Sequence, residues 1–165
     1  MQIRQAIAIT GMLMGVLLGA ATTGRADDAA EVAAIKTLMA GMFDQPQSRL
    51  DVGPVVVVGD HAIAGWSQGD MGGRALLRRK EQVWQLILCS GDPLKSAEAL
   101  AKMSVPAAIA SRLAAQLAEA EAKVSPERLA MFARFDGIVM MDSSGHHPPM
   151  EHGAGQHPPA QHQGH

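Results

Sequence analysis

The stretch Val55-Val56-Val57-Val58-Gly59-Asp60-His61-Ala62-Ile63-Ala64-Gly65-Trp66-Ser67 decides the fold. Its β-branched run reads as a strand, Gly59-Asp60 as a tight turn, and His61 to Ser67 as a second strand alternating about Ile63 and Trp66. The pattern then repeats. Gly69-Asp70-Met71-Gly72-Gly73 makes a looser turn, Arg74 to Arg79 and Val83 to Cys89 follow as strands, and Lys80-Glu81-Gln82 joins them. Four short strands with tight connections predict an antiparallel meander, one face of which buries Trp66, Trp84, Leu76, Leu86 and Leu88. The Arg78-Arg79-Lys80 run reads as a solvated hairpin end.

Working outward, the segment from Asp27 opens a helix. Asp27, Asp28 and Glu31 suit the positive end of a helix dipole, while Val32, Ile35, Leu38, Met39 and Met42 recur at helical spacing until Pro46. After Asp92-Pro93 the chain turns alanine-rich. Helices are expected over Ser96 to Met103, over Val105 to Val124 with Pro106 near its start, and from Ser125-Pro126-Glu127 to about Phe135. A helix before the sheet and helices after it predict an α+β domain over residues 27–142. The element order invites comparison with α+β rolls of the cystatin or nuclear-transport-factor type.

The chain of 165 residues is long enough for one domain. Its 14 Lys and Arg against 16 Asp and Glu argue against nucleic acid as a partner, which would need clustered positive charge. Residues 1–26 read as a secretory signal, with Arg4, then the apolar run Ile7 to Ala21, then small residues Gly24 and Ala26 before Asp27. The run, of about fifteen residues, is short of the ~20 that span a bilayer, so no stable membrane span is expected after cleavage. Removing Arg4 and Arg25 leaves 12 basic against 16 acidic residues, a charge of −4. The expected destination is a periplasm. Cys89 is the single cysteine, which excludes an internal disulfide and any CxxC motif.

Candidate chemistry inside the domain is sparse. Cys89 could act as a nucleophile only with His61 as its base, or as a copper ligand with His61 or Met71; a buried structural thiol is the simpler reading. Met39, Met42, Met103 and Met131 fall on apolar helix faces as core filler. The tail, residues 143–165, is different. It is rich in His, Pro, Gly and Gln without apolar periodicity, so disorder is expected. Six of the seven histidines lie in its last twenty residues: His146, His147, His152, His157, His162 and His165. His147-Pro148-Pro149-Met150-Glu151-His152 is echoed by His157-Pro158-Pro159-Ala160-Gln161-His162. Imidazoles repeated at such spacing can gather round one ion, because closing so short a loop costs little. Neutral imidazole suits copper(II), zinc and nickel, and the Met150 thioether adds a donor for copper(I).

The run Val57 to Arg79, with its Gly65-Trp66 and Gly72-Gly73-Arg74, together with Leu88-Cys89-Ser90-Gly91-Asp92, resembles the small secreted proteobacterial proteins described as copper uptake system-associated. That resemblance spans roughly residues 30–140 and implies a place beside outer-membrane copper receptors and periplasmic copper chaperones. It brings no ligand set, so the copper link falls on the tail. The leading expectation is a non-enzymatic periplasmic accessory protein that captures or passes on copper. The alternatives are a nickel, zinc or cobalt buffer, a roll that binds a small molecule with the tail an incidental metal sponge, and an adaptor docked on a transporter.

Overall fold

The computed structural model describes residues 23–141. Along the chain run α1 (Thr23–Phe43), β1 (Asp51–Val58), β2 (His61–Gln68), β3 (Met71–Lys80), β4 (Val83–Ser90), a 3-10 turn (Asp92–Lys95), α2 (Ala97–Lys102), α3 (Ala107–Glu121), α4 (Pro126–Ala133) and β5 (Ile138–Met140). The architecture is α+β, as the element order implies. The sheet has five antiparallel strands in sequence order rather than the four expected. The added strand is β5, three residues long, too short to display a period of two. The Ser90 hydroxyl donates to the Gly137 carbonyl at 2.7 Å, holding the start of β5 against β4.

Both faces of the sheet are buried, not one. Val56, Val58, Ile63, Leu76 and Leu88 pack under Leu94, Leu100, Leu113 and Leu117 on one side. Ala62, Ala64, Ala75, Leu77, Trp84 and Leu86 pack under Ile35 and Met39 of α1 on the other. The apolar set expected on a single face is therefore divided, with Leu76 and Leu88 on the helical side and Trp66, Trp84 and Leu86 beneath α1. The cause is the pleat: residues of opposite parity on a strand point to opposite faces. On β4 the pleat alone would keep Leu86 and Leu88 together, but Ile87 is an extra residue between the partners of Leu77 and Leu76, and this bulge sends Leu88 to the other face. In β1 the register breaks between Val52 and Val55, where Pro54, lacking an N–H, is tolerated because β1 is an edge strand.

Helix α1 starts at Thr23, before the expected Asp27, so Asp27 and Asp28 lie beyond its first turn, whereas two later helices start at serine caps. Ser96 caps α2 by accepting from the Ala99 amide, and Ser125 caps α4 by accepting from the Arg128 amide. Pro106 stands at the cap of α3 instead of inside it, and Phe135 lies beyond the end of α4. The Arg78-Arg79-Lys80 run is solvated only in part. Arg78 and Lys80 are exposed, but Arg79 pairs with Glu31 of α1 and with Asp60, and its guanidinium lies 5.5 Å from the Trp84 ring centroid.

Two features lock the C-terminal helices onto the sheet. A Cβ added to Gly65 would stand 2.8 Å from the Phe132 ring, and one added to Gly91 would stand 2.5 Å from the Phe135 carbonyl oxygen. Side chains at these places would push the α4 segment away. Between them Arg74, 1% exposed, donates from Nε and Nη2 to the two carboxylate oxygens of Glu121 at 2.6 and 3.0 Å. Its Nη1 reaches Asp92 at 3.2 Å, and its guanidinium lies 5.5 Å from the Phe132 ring centroid.

Candidate functional site

Between α1 and the sheet lies a cavity of about 230 Å³. Helix α1 contributes Met39 and Phe43, and the strands contribute Trp66 and Cys89. Val139 of β5 and Met141 just beyond it close one side, because the pairing of Cys89 with Val139 brings β5 alongside β4. Phe135 meets Trp66 edge to face, with ring centroids 5.8 Å apart and planes at 80°. The chain contains only two Trp, three Phe and no Tyr. Three of those five aromatic rings, Phe43, Trp66 and Phe135, line this one cavity.

The rim is tied by Gln68. Its Nε2 donates to the carbonyl oxygens of Phe43 and Ser48, each at 2.7 Å, so both amide protons are spent joining the end of α1 to the loop before β1. The Trp66 indole Nε1 is closed off from solvent beside the Cys89 sulfur and makes no hydrogen bond of regular geometry among the described residues. Cys89 is 4% exposed, and burial pushes its thiol up to about 12, with the Trp66 indole beside it opposing that shift. At neutral pH the sulfur is therefore a neutral thiol and a poor nucleophile.

The three residues singled out inside the domain do not meet. His61 follows the parity of Ile63 and faces the α2–α4 side, whereas Cys89 belongs to the cluster under α1. Met71 is 54% exposed at the start of β3. The His61–Cys89 base–nucleophile pair and the His61–Met71–Cys89 metal set are thus not assembled. His61 is itself buried, and its Nδ1 has no partner among the described residues. Burial and the nearby Arg78 charge hold its pKa below the usual histidine value, with Asp60 opposing them. Among the described residues no group of three or more His, Cys, Asp or Glu side chains could hold a metal.

His146, His147, Met150, His152, His157, His162 and His165 lie outside the described residues, as do the expected tail disorder and most of the expected signal segment. Among the described residues no helix is long and apolar enough to cross a membrane. The sequence reading allows a small-molecule pocket in such a roll but does not locate its walls. Met39 was assigned to core filling, and Val139 and Met141 were left outside any element, although Gly137 followed by the apolar run Ile138-Val139-Met140-Met141 is a strand signal of minimal length. Comparison of the chain with known family profiles, with curated proteins and with solved structures finds no match.

Proposed function

We propose that this protein is an extracytoplasmic copper-binding accessory protein, with the ion taken up by its C-terminal histidines. One observation carries the reading: six imidazoles fall within the last twenty residues, four of them at a constant spacing of five, with the Met150 thioether among them. Borderline nitrogen donors in that number favour copper(II) over the other divalent first-row ions, and a thioether gives reduced copper a soft ligand. The likeness of the Val57–Asp92 region to copper uptake system-associated proteins supports the choice of copper, and with it a copper chaperone or an outer-membrane copper receptor as partner. An apolar segment with a small-residue cleavage site at its end supports export to a periplasm.

The test is a competition titration of full-length protein against a calibrated copper(II) chelator, alongside a variant with His147, His152, His157 and His162 replaced by alanine. Wild-type affinity should fall as pH drops from about 7.5 to about 5, more steeply than one proton per ion, because each imidazole must shed its proton to bind. The variant should lose most of that affinity and its pH slope. A variant that keeps both would remove the tail as the site. A preference for nickel, zinc or cobalt in the same titration would replace copper with a general metal-buffering role.

A further inference from the structure

The cavity under α1 has no part in that reading, and its lining indicates what it can hold. We infer that it binds a small neutral aromatic hydrocarbon of one or two fused rings, held against Phe43, Trp66 and Phe135.

Size is the first argument. At about 230 Å³ the space exceeds a ~150 Å³ apolar cavity that admits benzene, yet it is too small for an extended acyl chain and its headgroup. The second is composition. A chain with five aromatic residues places three of them around one cavity, two already in the edge-to-face geometry that a further ring would extend. Met39, Cys89 and Met141 add three sulfur atoms, which make favourable contacts with ring edges. Polarity is the third. The only polar side chain in the wall besides the indole and the thiol is Gln68, and its donors are spent on the backbone. The Trp66 indole nitrogen is closed off from solvent beside the Cys89 sulfur, so it offers a guest no donor either. A carbonyl on the guest would give up its water hydrogen bonds with no donor to replace them. No charged side chain lines the wall, so nothing offsets the desolvation of an ionised ligand.

Two probes of nearly identical shape test this on the full-length protein: 1-indanone, which carries a carbonyl, and indane, which does not. Binding of each is measured by calorimetry to wild type, to Trp66→Phe and to Val139→Phe. Wild type should bind indane more tightly than 1-indanone, whose carbonyl finds no donor in the wall. Trp66→Phe keeps a ring and removes an N–H that a guest does not reach, so the preference for indane should be unchanged. Val139→Phe fills the cavity from β5 and should abolish both interactions. The proposal is overturned if wild type binds neither probe, or if it prefers 1-indanone and Trp66→Phe removes that preference. It is equally overturned if the probes fail while the protein takes up one equivalent of silver(I) that Cys89→Ser abolishes, which would make the pocket a sulfur metal site. Neither probe is a metal ligand of consequence, so failure here leaves the copper(II) titration untouched, and failure there leaves this result standing.

Discussion

Gly91 and His61 show how much a single position can carry in this molecule. A methyl group on Gly91 would meet the Phe135 backbone oxygen at 2.5 Å, and backbone cannot swing aside as a side-chain end can. Gly91→Ala should therefore cost about 1–3 kcal/mol in chemical denaturation, the usual range for overpacking, with the slope of the transition unchanged. An undiminished midpoint would mean that the α4 segment shifts freely. His61 acts through charge. Its folded pKa is depressed, by burial first and by Arg78 second, so the unfolded chain binds a proton more readily. Stability is then complete above the ordinary histidine pKa of ~6.5 and declines as pH falls from there toward the folded value. Replacing His61 with Gln should flatten the stability profile between about pH 7 and 5, as measured by denaturant midpoints across that interval. At this scale the sequence was legible only where chemistry is intrinsic to the residue type. A lone cysteine reads as a buried thiol, and 4% exposure agrees. The partners of Gly65 and Gly91 come from α4 and the segment after it, far along the chain, and no local pattern announces them.

Among elements, the meander was the most readable and the helices nearly so, because periodicity and turn residues are local signals. The limits of β2 and β4 agree with the sequence reading to within one residue. Assigning the apolar residues to one face fails at β4, where the extra residue Ile87 puts Leu88 on the opposite face from Leu86, and such an insertion has no local signature. The long-range ties were equally invisible, and the bidentate Arg74–Glu121 pair is more deeply buried than the Arg79–Glu31 and Arg128–Asp51 pairs, joining the middle of β3 to the end of α3. With Arg74 1% and Glu121 6% exposed, removing Glu121 leaves the buried guanidinium only its 3.2 Å contact with the exposed Asp92. Glu121→Ala should cost about 3–5 kcal/mol, whereas Arg74→Met combined with Glu121→Met should recover most of that loss, because a well-packed apolar pair can replace a buried ionic one. Thermal or denaturant unfolding of the two variants decides it. A double variant as unstable as the single one would assign the cost to lost packing around Phe132 instead.

Across the whole molecule, the two candidate activities sit in different kinds of sequence. The proposed metal site was legible as composition, because histidine enrichment in a short segment needs no fold to be seen. The pocket was not, because its walls come from α1, β2, β4 and β5, brought together only by topology. That topology has a consequence in time. Strands β1 to β4 are consecutive hairpins whose contacts span few residues, whereas β5 joins β4 across fifty positions, from Cys89 to Val139. Contacts that close long loops form later than local ones, since their entropy must be lost before they stabilise anything. On a chain emerging from its N-terminus, the meander can assemble before Phe135, Val139 and Met141 have arrived. The cavity is thus the last part of the molecule to be enclosed, and a guest can be built around as well as let in.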